Sequence, residues 1–143
     1  MKPRKMAWLR WSTLGVVFCL GLLAGARDMA LAAPEEFACV EQDKISKDIA
    51  PEAQLEGLTC FFKKYKGANA LHFKLTVKNI SSKPQRYRVH IFLDNGKAVG
   101  GLIPKKTKAG LVQPGQSATF VYPVTRMAEK PGCIDLKIAT MNQ

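Results

Sequence analysis

The chain has 143 residues, is 47% hydrophobic and 23% charged, and carries a formal net charge of +11. Once residues 1–32 are set aside as a leader, about 110 residues remain, enough to bury one core and too few for two. The charge is uneven: residues 33–56 hold seven acids against Lys44 and Lys47, whereas residues 57–143 hold twelve lysines and three arginines against Asp94, Glu129 and Asp135.

Lys2, Arg4, Lys5 and Arg10 precede an apolar stretch from Leu14 to Ala26 and then Ala30-Leu31-Ala32. These are the three parts of a secretory signal peptide, and they predict export to the periplasm or the cell exterior. The stretch is broken by Gly15, Gly21 and Gly25 and stops at Arg27-Asp28, short of the ~20 apolar residues a spanning helix needs. Membrane attachment is therefore expected only through an uncleaved signal. Cleavage is placed after Ala32, because a cut after Ala33 would set Pro34 beyond the scissile bond. Cys19 follows the bulky Phe18, so it reads as a signal-peptide cysteine and not as a lipoprotein site.

The acidic segment 33–56 places Phe37, Val40, Ile45 and Ile49 near helical spacing before Pro51, which predicts one or two short helical turns or irregular structure. Residues 58–65 read as a strand ending at Gly67-Ala68-Asn69. Leu71, Phe73, Leu75 and Val77 then alternate with His72, Lys74, Thr76 and Lys78, the period of a strand with one buried and one wet face. A turn-rich run, residues 79–85 with Pro84, leads to a strand on which Tyr87, Val89, Ile91 and Leu93 alternate with Arg88 and His90 and only Phe92 breaks the polar face. Asp94-Asn95-Gly96 predicts a tight hairpin. A strand through Ala98, Val99 and Leu102 follows, with Gly100-Gly101 marking a bulge or bend. Lys105 to Gly110 is a basic loop and Gln113-Pro114-Gly115-Gln116 a turn. Residues 118–124 read as a strand that Pro123 confines to an edge or brings to an early end, and Ile134, Leu136 and Ile138 alternate in the last strand. Five to seven short strands with turns at this spacing predict an all-β, antiparallel sandwich in residues 57–143; a parallel sheet is not expected.

Val77-Lys78-Asn79, Phe92-Leu93-Asp94-Asn95-Gly96 and Gln113-Pro114-Gly115 together are similar to small immunoglobulin-like domains of bacterial envelope proteins, including the FxLYD type. The resemblance covers about residues 71–124. It departs at Leu93, where the family has an aromatic, and in the cysteine-bearing acidic segment. It implies an immunoglobulin-like sandwich acting as a structural or partner-binding module, since such a fold does not dictate function.

Three cysteines follow the leader: Cys39, Cys60 and Cys133. In an oxidising compartment two of them are expected to pair, and spacing alone does not choose which. Cys39 with Cys60 is favoured because that bond pins the acidic segment to the sheet. Cys133 is then left over, to be buried and inert or to join a second chain, and burial is the commoner fate of a lone thiol.

If strands 71–78 and 86–94 form a hairpin, Lys74, Lys78, Arg86 and Arg88 make one cationic face and His72 and His90 lie exposed on it. Such a face is either a solvated surface or a docking site for an acidic surface, supplied by the chain's own segment 35–56 or by another envelope protein. Lipopolysaccharide is a further candidate anion, and nucleic acid is not expected. No catalytic set is found. Cys60 and Cys133 have no histidine base beside them, no Cys-x-x-Cys-His haem motif or close-spaced zinc ligand set occurs, and no histidine follows Cys133 as a type 1 copper site requires. Neither a cofactor nor a metal is expected. The expected function is a non-catalytic accessory or assembly domain of the envelope that binds a protein partner. The alternatives are a self-polymerising surface subunit and a small redox or metal protein.

Overall fold

The computed structural model describes residues 32–106 and 110–141. The expected signal peptide, its cleavage and Cys19 fall on residues 1–32, of which only Ala32 is among the described residues. From Ala32 onward the chain forms one compact unit, nearly all β, with seven strands among the described residues: β1 Ile45–Ile49, β2 Ala53–Tyr65, β3 Ala68–Asn79, β4 Tyr87–Leu93, β5 Ala98–Ile103, β6 Ser117–Pro123 and β7 Ile134–Thr140. They make two sheets, ordered β1-β7-β4-β5 and β2-β3-β6.

Period-two alternation builds the core. Phe73, Leu75 and Val77 of β3 and Val89 and Ile91 of β4 are fully buried, with Ile134, Leu136 and Ile138 of β7 nearly so. These side chains belong to one cluster drawn from both sheets. Burying each large side chain stabilises the fold by roughly 1.5–3 kcal/mol.

The turns follow their residue chemistry. Gln116 N–H donates to Gln113 C=O at 3.0 Å and Gly115 sits at φ +76°, the proline-then-glycine order of a type II turn. At the β4–β5 hairpin, Gly96 N–H donates to Leu93 C=O and Leu93 N–H to Lys97 C=O, the three-residue loop built on Asp94-Asn95-Gly96.

Four expectations are corrected. β3 and β4 do not form a hairpin; they lie in different sheets. Asn79 redirects the chain: its amide donates to Lys83 C=O and Val112 C=O at 2.7 and 2.8 Å and accepts from Ser81 N–H at 2.9 Å. That network carries residues 80–86 across to the second sheet, where β5 and β7 take both edges of β4. Second, the acidic segment holds one of the expected short helical turns, the 3-10 turn Gln42–Lys44, but no second one at Ile45 and Ile49. Ile45 and Ile49 instead lie in β1, because the free edge of β7 offers a continuous ladder. Third, that ladder is parallel, Ile45 opposite Ile134 and Ile49 opposite Ile138, so the sheet is mixed. Fourth, Gly100-Gly101 forms no bulge: the β4–β5 register runs unbroken from Tyr87–Ile103 to Phe92–Ala98. The irregularity falls in β2, between Leu55 and Gly57.

β2 begins at Ala53, earlier than expected, because β3 offers partners as far as Asn79. Segment 33–56 is thus woven into both sheets, giving β1 to one and the start of β2 to the other.

Candidate functional site

Cys39 and Cys60 are bonded, with Cα atoms 5.0 Å apart. Phe37 and Cys60 exchange two main-chain hydrogen bonds of 2.8 Å, so the acidic segment is laid along β2 as well as tied to it. Cys133 is exposed, which corrects the expectation of a buried thiol. It precedes β7, on which Ile134, Leu136 and Ile138 take the inward positions, and the alternation turns Cys133 outward.

The four cations do not share a face. Lys74 and Lys78 lie on β3 in one sheet, whereas Arg88 lies on β4 in the other and Arg86 just before it. The acidic segment meets the first pair. Lys74 Nζ lies 2.6 Å from Glu36 Oε1, whose second oxygen accepts from Thr59 Oγ1 at 2.9 Å. The Glu36 carboxyl is held below its ordinary range, first by the Lys74 hydrogen bond and then by that of Thr59. Lys78 faces Glu56 at 3.8 Å. On the other sheet Lys137 pairs with Asp48 at 2.8 Å, and that hydrogen bond raises the Lys137 ammonium. These pairs are solvent-exposed and contribute little stability; their effect is to offset the charge of the lysines.

Arg86 turns its guanidinium along the chain, donating to Pro104 C=O and Lys105 C=O at 3.2 and 3.1 Å. Arg88 is exposed, opposite Leu102 and Ala139. Among the described residues the ion pairs involve Lys44, Lys74, Lys78 and Lys137, and neither arginine.

The histidines part company as well. His72 is buried, not exposed as expected: its ring stacks on Phe61 at 5.0 Å and meets the Tyr65 ring edge-on at 6.1 Å. Its Nδ1 lies 2.9 Å from Ala70 C=O. His90 is half-buried in the other sheet and stacks on Phe92 at 5.9 Å, nearly parallel. Among the described residues no three His, Cys, Asp or Glu side chains are grouped to hold a metal ion. Burial pushes the hydroxyls of Tyr87 and Tyr122 up to about 12. Tyr87 donates to Glu52 C=O at 2.9 Å, and Tyr122 has no hydrogen-bond partner among the described residues.

Arg88, His90 and Phe92 form a stripe down the outward side of β4, with Phe92 46% exposed. Beside it, Ala98, Gly100 and Leu102 of β5 lie opposite Phe92, His90 and Arg88, and the small Ala98, Gly100 and Gly101 line a concavity of about 450 Å³. This stripe and trough are the candidate site. Sequence reasoning missed the trough and noted Phe92 only as an exception. The signal lay in Ala98–Ile103, an apolar run with two adjacent glycines and no charge. A larger concavity, about 630 Å³, is lined by Glu52, Lys83, Pro84, Gln85, Leu111, Thr140 and Met141 and brings no reactive groups together. Among the described residues no helix is long and apolar enough to cross a membrane. Comparison with known proteins finds no matching family model, no matching curated protein and no matching solved structure.

Proposed function

We propose that this chain is an exported, non-catalytic accessory or assembly domain of the cell envelope, immunoglobulin-like in type, that binds a protein partner bearing an acidic surface. One observation carries the reading: the acidic segment offsets Lys74, Lys78 and Lys137, while Arg88 and the exposed Phe92 stand together on an open sheet face. Phenylalanine and arginine are both among the residue types enriched at protein interfaces. The Cys39–Cys60 bond fits an oxidising compartment, as the leader does.

The test is capture of a partner from envelope extract by the wild-type protein and by Arg88→Glu/Phe92→Ala. Loss of the captured protein with the variant, and weakening of binding as salt rises, support the reading. Equal capture by both proteins, or an affinity indifferent to ionic strength, sinks it. The exposed Cys133 favours a second reading, a self-associating subunit. Covalent dimers on size exclusion that vanish with reductant and with Cys133→Ser would support that one instead.

A further inference from the structure

The four sheet edges are not equivalent. β1 presents Ser46, Lys47 and Asp48, β2 is continued by the Phe37 bridge, and β6 ends in Pro123. Charges, a covering segment and a proline each blunt an edge against further pairing. β5 has none of them: Ala98–Ile103 contains neither a charge nor a proline, and it stands last in its sheet. The bond from Leu93 N–H to Lys97 C=O marks a hydrogen-bonded pair, and such pairs alternate along an antiparallel ladder. With Phe92 opposite Ala98 and His90 opposite Gly100, the main-chain groups of Ala98, Gly100 and Leu102 point away from β4. Among the described residues no main-chain group bonds to them.

The trough lies against this open ladder. Gly100 is dictated by the fold, because a Cβ there would fall 2.0 Å from Val89 C=O, yet its bareness still leaves room over His90. Cations stand at both ends of the strand: Lys97 before it, and Lys105 and Lys106 after it, with Arg88 opposite Leu102. Those charges choose the occupant. A second copy would pair about a two-fold axis, setting the Lys97 end of one strand against Lys105 and Lys106 of the other, where like charges repel. An extended segment with acids at its ends meets the opposite sign at both.

We infer that β5 accepts an added β-strand from a protein partner, an extended segment carrying carboxylates at both ends and a bulky side chain seated over Gly100. This rests on the protein-binding reading above and names its site and the chemistry of the partner. The main-chain ladder supplies affinity, and the trough and cations supply register and selectivity.

The probe is a synthetic peptide with two aspartates at each end of an alternating valine, threonine and phenylalanine core, added to the isotopically labelled protein. Expected results are protection from hydrogen exchange at Ala98, Gly100 and Leu102 and an affinity that falls as salt rises. Leu102→Pro removes an outward N–H without touching the β4 ladder and should weaken binding at least tenfold. Should that variant unfold, Lys105→Glu/Lys106→Glu, on exposed loop positions, should weaken binding at least fivefold with an unchanged circular dichroism spectrum. No binding at millimolar peptide, protection elsewhere, or indifference to the folded variants overturns the inference. Peptide docking on Arg88 and Phe92 without protection of β5 overturns strand addition alone and leaves the protein-binding reading standing. Failure of that reading shows separately, as capture of the envelope partner indifferent to Arg88→Glu/Phe92→Ala.

Discussion

Replacing Asn79 by alanine removes a side chain that is fully buried and holds the crossover between the two sheets. Two donated bonds, to Lys83 and Val112, and two accepted ones, from Ser81 N–H and Ser81 Oγ, are lost together. Val112 C=O keeps a bond from Gln85 N–H at 2.9 Å, and the Ser81 hydroxyl released from Asn79 can turn its one proton to Lys83 C=O, 2.9 Å away, so the loss is not four whole bonds. Counting about two net bonds at ~1 kcal/mol each, plus a small cavity, the variant should lose about 2–4 kcal/mol. Asn79→Asp should be worse at neutral pH, because a carboxylate would face two carbonyl oxygens that need a donor. Its folded-state pKa would be raised, so the deficit should shrink below the ordinary Asp value of about 3.9 and grow as pH rises past it. Urea unfolding followed by far-ultraviolet circular dichroism is the assay, since both tryptophans, Trp8 and Trp11, lie in the expected leader. With a slope of about 1–2 kcal/mol per molar urea, Asn79→Ala should lower the midpoint by at least ~1 M. A loss under ~1 kcal/mol, or an aspartate variant no worse than alanine at neutral pH, would refute the assignment of the crossover to this side chain.

Gly100→Ala should cost about 2–3 kcal/mol, since its Cβ would fall 2.0 Å from a main-chain oxygen at φ +154°, whereas Gly101→Ala, 3.4 Å from the Tyr122 ring, should stay within ~1 kcal/mol by thermal unfolding. Tyr122→Phe deletes a buried hydroxyl without a partner and should raise stability by about 1 kcal/mol; a loss would mean the hydroxyl is bonded. Because Tyr87 and Tyr122 are raised from 10.0 to about 12 in the fold, the unfolded chain sheds those protons first, and stability should fall between pH 10 and about 12. The fall should be smaller in Tyr122→Phe. Cys39→Ala/Cys60→Ala opens a loop of separation 21 and should cost about 3 kcal/mol by the chain-entropy relation, read as a urea midpoint matching that of the reduced wild type.

The inward faces of β3, β4 and β7 were legible in the sequence because alternation records burial directly. So were the turns at residues 94–96 and 113–116, whose residues answer local backbone demands. Alternation names a strand's face but not its neighbour. The same Leu71–Val77 and Tyr87–Leu93 patterns serve a hairpin or two opposed sheets, and the choice lies in the bonds of Asn79, which one asparagine in a polar run does not announce. β1 was hidden for the opposite reason: only Ile45 and Ile49 are even half-buried there, a spacing that a helix and a strand can both claim. His72 was misjudged because its alternation phase is outward, and it is buried nonetheless against Phe61 and Tyr65. The Arg88, His90 and Phe92 stripe was readable residue by residue, but the trough beside it needed the register of β5.

The parallel pairing of β1 with β7 also sets the order in which the molecule can be finished. Of the described strands β1 is made first, and the one it pairs with among them, β7, is made last. Until residues 134–140 arrive, β1 has no ladder among the described strands, and β4 is left with one open side. Closing so long a loop carries an entropic cost that no early local contact offsets. Completion of this sheet therefore waits on β7, and a chain truncated before Ile134 would leave β1 and one side of β4 unpaired and be prone to aggregate.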